Sequence, residues 1–487
     1  MAHYNTDAAG QLKSTTPNAP GWGGQSIDSL RRTFGIGDTV HELAPETSIF
    51  FSYLSKLGKK PTDETVWKPM EYRSQWQRRN FRADYMADDG ATSGAGVKFT
   101  CTYNHQGKVH KTETYSPVFL VAGQILRING IVWKIAEDTV FEYMKTVAGG
   151  GNDTVSANGK GTTDGDYAFV PLAKMVKVSD TSVTFATDNS DSGQGQVIGS
   201  QWAEASGAPD GWRDELSDVE FFTQIFKTSV PLMSGSMQAT KYRGYANEWK
   251  RIYGEHVKSH KMDLENAFLF GYGKYTNADT RNSWGAVPFI ENMGGKKYEL
   301  DFDGTVPSGS GYDVSAPFSY DGIVDVMDDF MNWEGGNSGQ KLILCSRKVI
   351  NKLHKMGEGN FLHNSFSKSS DGTTATNANQ VFSASLDVKS SSFMPIDITS
   401  ISTSWGSMNF IAHPLFRNDM ENKAVALDLR HVTMRPLAGN GHSRDTYVET
   451  NIQENDIDGR KDQIITEAGL EILFPETHAV IDFVTGG

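Results

Sequence analysis

The chain has 487 residues, a formal net charge of −13, 38% hydrophobic and 22% charged residues, and two cysteines. That length buries large cores in two to four domains, and the composition is that of a soluble globular protein. An acidic balance with no Lys/Arg block beyond two or three residues argues against gripping DNA or RNA through its phosphates.

Neither Cys101 nor Cys345 sits in a CxxC motif, so reduced thiols in a cytosolically assembled protein are expected, with no disulfide framework or zinc site. The first residues show no basic start followed by an apolar run, so no signal peptide is expected. Apolar runs reach only about five residues, as in Val118 to Ala122, so no membrane-spanning helix is expected.

Residues 1 to about 35 are polar and rich in Gly, Ser, Thr and Pro, the composition of an arm that orders against something else. A short helix follows Pro45, with Ile49, Phe50, Tyr53, Leu54 and Leu57 inward and Gly58 ending it. Val66, Trp67 and Met70 to Trp76 read as a long, half-exposed strand. From about Asp84 to Asp218, short β-like runs alternate with turn-rich loops, which predicts a small barrel or sandwich. Asn129-Gly130 marks a hairpin within it. Gly149 to Asp166 and Ser190 to Asp218 read as long surface loops. A strand returns over Phe222 to Ser229.

Gln238 to Tyr272 then reads as one helix, with Tyr242, Tyr245, Trp249, Ile252 and His256 at spacings of three and four. At about 1.5 Å per residue it would span roughly 50 Å. Gly244 and Gly254 lie inside it. Asn282 to Gly295 reads as extended. Near Tyr320 a helix–strand–helix run begins, with KLILCS as a buried strand and a second helix from Arg347 to Met356. That alternation predicts an α+β domain. Asn364 to Gln380 reads as a mobile loop, and the C-terminal stretch is mostly extended.

Catalytic and cofactor signatures are missing. There is no HExxH, GxSxG or Walker lysine loop. Gly159-Lys160-Gly161 and Gly193-Gln194-Gly195 begin like a dinucleotide fingerprint, but their third glycines fall one position late. Glu454 to Gly459 resembles an EF-hand start, yet Ile465 stands where a bidentate Glu is needed. His256 and His260 have metal-ligand spacing without a third ligand, so a packed or solvent-facing pair is the better reading. Asp325 and Asp328-Asp329 read as a solvated acidic face. Trp67, Tyr72, Trp76 and Trp249 suit stacking on sugar or base, but inter-element packing explains them better. No enzyme activity and no cofactor are expected.

Many extended elements, a long helix, an unattached arm and no site chemistry are features of a subunit that builds by touching its own copies. The order of elements resembles the major capsid proteins of tailed bacteriophages, which have the Hong-Kong-97-like fold. The likeness is carried by FFTQIFKTSVPLMSGSMQATK leading into the long helix, by Leu264-Glu265 through Gly271, by FIAHPLF and ALDLRHVTMRPL, and by RKDQIITEAGLEILFPETHAVI. It covers about residues 40 to 85 and 218 to 487.

The resemblance implies an α+β capsid fold plus an inserted all-β domain. The N-arm would be 1–45, and 46–84 would start the peripheral domain and the first side of the extended loop. The β-rich insertion would be 85–217, the returning loop side 218–237, the spine helix 238–275 and peripheral strands 276–319. The axial domain would be 320–437, with closing strands over 438–487. It also implies a homo-oligomer of pentamers and hexamers in the shell of a virion assembled in the host cytoplasm. Scaffold, portal and decoration proteins are implied partners, and packaged double-stranded DNA would be enclosed without sequence-specific binding. No membrane is involved. Trp67, Trp76, Phe222, Phe226 and Trp249 are the expected inter-subunit contacts. The competing readings are an encapsulin-like compartment shell and a carbohydrate-binding surface protein built on the β insertion.

Overall fold

The computed structural model describes residues 49–73, 79–87, 94–104, 106, 114–146, 152–156, 167–209, 211, 215–241, 247–277, 280–303, 311–331, 339–362, 387–391, 396–403 and 405–484. The expected arm over 1–45, Trp76, Gly244 and the Asn364 to Gln380 loop lie outside them.

Three sheets organise the chain. The largest C-terminal one is mixed and eight-stranded, in the order Val314–Pro317, Lys296–Asp301, Ala479–Val484, Lys423–Leu427, Gln340–Cys345, Ser407–Ala412, Ile396–Ser402, Asp387–Ser391. The strand Lys296–Asp301 runs parallel to both its neighbours, and Gln340–Cys345 runs parallel to Ser407–Ala412. Strands buried on both faces read as continuous apolar runs, which is why KLILCS is legible. Ile343 and Cys345 face one core with Ala424, Ala426, Ile481 and Phe410. Leu342 and Leu344 face the other, with Val425, Leu427 and Val480.

The second sheet is built on the ten-residue strand Gln463–Ile472. One edge pairs with Gln224–Ser229, the other with Val432–Pro436 and Tyr447–Glu449 in tandem. The third is a nine-stranded antiparallel sheet drawn from residues 80–200. It has its own core of Phe81, Phe99, Phe119, Leu126, Ile128 and Trp133, among others. Asn129 (φ 47°) and Gly130 (φ 83°) both take positive φ and join Gln124–Ile128 to Ile131–Ile135, the requirement of a type I′ hairpin.

Six helices occur among the described residues: α1 Ile49–Leu57, α2 Gly235–Ala239, α3 Glu248–Phe270, α4 Ala286–Asn292, α5 Tyr320–Phe330 and α6 Arg347–Leu362. Helix α1 buries Ile49, Phe50 and Leu54 and ends at Gly58, φ +94°. The single helix expected over 238–272 is two. Helix α2 closes at Thr240, and α3 starts afresh at Asn247, whose extended backbone (φ −141°) lets its side chain accept from the Lys250 N–H. An extended N-cap cannot lie inside a helix, so α3 holds 23 residues and spans about 34 Å.

Three further expectations are corrected. Asn282 to Gly295 is not wholly extended. Gly285 caps α4, whose Ala286, Val287, Phe289 and Ile290 are all buried, and Pro288 is tolerated in its first turn. The presumed loops also contain strands, Asn152–Ser156 and Gly193–Ser200. In the second, Gly195 crosses a bulky neighbour: a Cβ there would lie 2.4 Å from the Phe81 ring. Of the long strand expected over Val66, Trp67 and Met70 to Trp76, the described part holds two two-residue strands, Val66–Trp67 and Met70–Glu71, and residues 74–76 lie outside the described residues.

Gly254 lies within α3, and a Cβ there would meet nothing within 4 Å. Gly254→Ala is therefore expected to stabilise the fold by about 1 kcal/mol through helix propensity, measured by urea denaturation. A destabilised variant would mean that the helix needs a glycine there.

Candidate assembly interface

Nine of the ten residues of Gln463–Ile472 are buried, yet Thr466, Glu467 and Glu471 are among them. Buried carboxylates require partners, and those partners come from distant segments. Glu467 accepts from Arg444, from Thr223 Oγ1 (3.2 Å) and from Arg281 (3.4 Å). Glu471 accepts from both forks of Arg435 (2.9 Å each) and from Trp67 Nε1 (2.7 Å). The Trp67 ring stacks on Phe221 (5.8 Å). Gly469 makes room for this: a Cβ would sit 2.5 Å from the Trp67 ring and 2.4 Å from the Phe222 carbonyl.

Beside this strand, Val66–Trp67 pairs with Phe221–Phe222, and Met70–Glu71 pairs with Ser217–Asp218. These are the two sides of one ribbon. Its inward residues are charged. Arg73 donates to Ser217 Oγ (2.6 Å), to Glu71 (2.6 Å) and through two nitrogens to Glu476. Glu71 also accepts from the Phe474 N–H (2.8 Å), and the guanidinium lies over the Phe474 ring (5.4 Å). Glu71, Arg73 and Ser217 are all buried. The outward side is largely apolar: Met70 is 67% exposed, Tyr72 54% and Leu216 55%, with the exposed Asp218 opposite Met70 as its one acid. The alternation at 70–73 thus has the opposite sense to the ordinary polar-out strand. Apolar surface faces solvent while an ionic knot faces the protein, and that inversion is the informative observation.

Two other joints hold the neighbouring elements. His260 of α3 bridges Thr228 and Thr466, 2.8 Å from each hydroxyl. Thr466 donates onward to Thr446, so it accepts from Nε2–H, leaving Nδ1 to accept from Thr228. Burial holds this imidazole below its ordinary pKa. Glu265, also on α3, accepts from the Phe50 N–H of α1 (2.7 Å) and from His413 (2.6 Å).

Beyond the long strand, the turn Leu473–His478 leads into the eight-stranded sheet. Lys341, fully buried, donates to Asp428 (3.2 Å) and the Thr477 carbonyl (3.1 Å). His478 accepts the Asp428 N–H at Nδ1 and donates from Nε2 to the Leu473 carbonyl. Burial, reinforced by the Lys341 charge, pushes His478 down to about 3.

The five expected contact residues divide. Phe222, 7% exposed, and Phe226, 8% exposed, serve the subunit's own core, Phe226 packing edge-on against Phe268. Trp67 is half-buried on the same core. Trp249 stacks on Tyr253 (5.0 Å) beneath the Arg460 guanidinium (4.0 Å), fastening the start of α3 to the ribbon Met233–Ser234 with Gly459–Arg460. Trp76 lies outside the described residues. Sequence reasoning passed over Glu71, Arg73, Met70 and Leu216. Their signal was charge alternating with large apolar residues, which does not reveal which side faces in. Among the described residues, no helix is long and apolar enough to cross a membrane, and no His/Cys/Asp/Glu group is placed to hold a metal ion.

A family model described as SU10 major capsid protein matches residues 33–485. No curated protein matches the chain. Among solved structures, the chain is similar to the Mycobacterium phage Patience structure at 12% identity and TM-score 0.37, over 59% of this chain and 76% of that one. It is similar to the capsid of Myoviridae phage XM1 at 13% identity and TM-score 0.33, over 58% and 81%. It is also similar to the SrpI encapsulin complex of Synechococcus elongatus at 10% identity and TM-score 0.31, over 55% and 77%. Likenesses this loose carry no functional weight beside the family match.

Arg73→Met would leave Glu71 and Glu476 without their cation, and is expected to cost about 3–5 kcal/mol in denaturant unfolding. A cost below about 1 kcal/mol would mean that the knot is not structural. His478, ordinarily near 6.5 and here near 3, is bound by protons sooner in the unfolded chain. Stability is therefore full above about pH 6.5 and falls as pH drops toward 3, by about 1.4 kcal/mol per pH unit. His478→Gln should flatten urea-denaturation stability between about pH 6.5 and 5; an unchanged slope would assign the acid sensitivity elsewhere.

Proposed function

The chain belongs to the SU10 major capsid protein family, and on that premise we propose that it builds its shell by laying the outward apolar side of the 70–73/216–218 ribbon on a neighbouring subunit. It is a major capsid protein of the tailed-bacteriophage type. The observation that carries the proposal is the inverted ribbon. Its charged side is locked to Glu476 and Phe474, so the ribbon is stiff and its Met70, Tyr72 and Leu216 side is presented in one orientation. A stiff, pre-organised surface gives up less conformational entropy on docking than a mobile one.

In this reading the copies form pentamers and hexamers of an icosahedral head. Residues 1–45 act as an arm across another subunit, and Trp67 and Trp249 stiffen the elements that reach the contact. The nine-stranded unit of residues 80–200 is a β domain inserted in the extended loop, on the outer surface, where a decoration protein would bind. The net charge of −13 supports a lining that encloses double-stranded DNA without holding it, so the genome moves freely during packaging. Assembly takes place in the host cytoplasm with scaffold and portal proteins.

The test is expression of the chain alone, followed by sedimentation and negative-stain microscopy. Shells, five- or six-membered rings or tubes are expected. Met70→Glu with Leu216→Glu should leave the subunit folded and abolish those assemblies. A stable 53.6 kDa monomer from the unaltered chain would overturn the reading.

A further inference from the structure

Helices α5 and α6 pack on the same side of the eight-stranded sheet. Ile323, Val326, Met327 and Phe330 of α5 share one core with Val349 and Leu353 of α6. Their solvent sides are opposite in charge. On α5, Asp321, Asp325 and Asp328 are exposed at spacings of four and three, so they form one row. None of the three has an ion pair among the described residues, whereas the next acid, Asp329, is engaged by Lys296 (2.9 Å) and by the Tyr298 hydroxyl (2.7 Å). On α6, Arg347, Lys348, Lys352 and Lys355 fall within nine residues with no acid between them. Lys348 donates to Asn422 (2.9 Å) and Lys352 lies over the Phe302 ring (5.2 Å). Arg347 and Lys355 are exposed.

Within the subunit Lys348 also reaches Glu421 (4.0 Å) and Asp321 suits the first turn of α5, but Asp325, Asp328, Arg347 and Lys355 have no ion pair among the described residues. Like charges at i,i+4 destabilise a helix by a few tenths of a kcal/mol per pair. Asp328 stands in the last turn of α5, beside the negative end of the helix dipole. Arg347 and Lys348 stand in the first turn of α6, beside its positive end. Both placements oppose the dipole. Asp328 on α5 and Arg347 on α6 are therefore charges that their own helices disfavour, and each helix carries the charge complementary to the other's.

We propose that the acidic row of α5 docks against the basic row of α6 on a second copy of this chain. The contact is head-to-tail, so each copy offers one row to each neighbour and the contacts close into a ring. The proposal rests on the reading of the chain as a shell subunit and adds the element that pairs neighbours within a ring. Exposed ion pairs are individually weak. Repeated around a ring they set register and exclude wrong partners more than they add affinity.

The test uses two full-length variants, Asp325→Lys with Asp328→Lys, and Arg347→Glu with Lys355→Glu. Each alone should raise the protein concentration needed for assembly by roughly tenfold or more, while the thermal unfolding temperature of the dissociated subunit does not fall. Mixed in equal amounts, the two should co-assemble into even-membered rings, because each supplies what the other lacks. Assembly of the unaltered chain should weaken with added salt. Variants that assemble like the unaltered chain would overturn this proposal alone. An unaltered chain that stays monomeric overturns the shell reading and this one together. Rescue in a single chain carrying all four changes, without rescue by mixing, would place the pairing inside one subunit and overturn the proposal. An α6 variant that assembles normally but loses affinity for duplex DNA would assign the basic row to nucleic acid, with the same consequence.

Discussion

The turn Leu473–His478 is the constraint on which the other parts depend. It joins the long strand of the four-stranded sheet to a central strand of the eight-stranded one. Within six residues it presents the Leu473 carbonyl to His478, the Phe474 N–H to Glu71, the Glu476 carboxylate to Arg73 and the Thr477 carbonyl to Lys341. Phe474 takes a left-handed backbone, φ 52°, an uncommon conformation for a bulky residue. It is held by its N–H bond to Glu71 and by the Arg73 guanidinium over its ring. Two sheets and the ribbon are thus registered to one short segment, and the strain is offset by the contacts that it organises.

Buried charge does most of this registering. Glu265, Glu467, Glu471, Arg73 and Lys341 are all buried, and each is engaged by a residue remote in sequence. Apolar packing alone would tolerate small shifts between layers, whereas a buried carboxylate with its partner removed is heavily penalised. The geometry of the ribbon relative to the core is therefore set within narrow limits, as a subunit that repeats identical contacts around a shell requires.

Periodicity made the amphipathic elements legible. Helices α1, α5 and α6, the strand KLILCS and the Asn129-Gly130 hairpin follow from spacing and turn chemistry alone. Other features were hidden for physical reasons. The break before α3 rests on the backbone of Asn247, and an Asn looks the same in a helix as at its cap. Helix α4 is only seven residues long and carries Pro288 in its first turn, so its buried Ala286, Val287, Phe289 and Ile290 are too few to mark a helical period. The strand Gly193–Ser200 resembles a loop because it is glycine-rich, and the need for its Gly195 lies in the Phe81 ring, more than a hundred residues earlier. The knot at Arg73 was hidden because Glu476, its partner, is 403 positions away. The family likeness was carried by the order of elements, which survives where individual contacts cannot be read.

That separation has a consequence for timing during synthesis. The partners of Arg73 and Glu71 in the turn, and the Glu471 that holds Trp67, emerge from the ribosome 403 or 404 positions after the residues they hold. Contacts so distant in sequence form late, and domains finish folding as units during synthesis. Until that turn arrives, the ribbon lacks its bonds to Glu476 and Phe474 and its apolar side is not held in one direction. A nascent chain whose turn has not yet emerged therefore lacks the anchored ribbon on which the proposed docking depends.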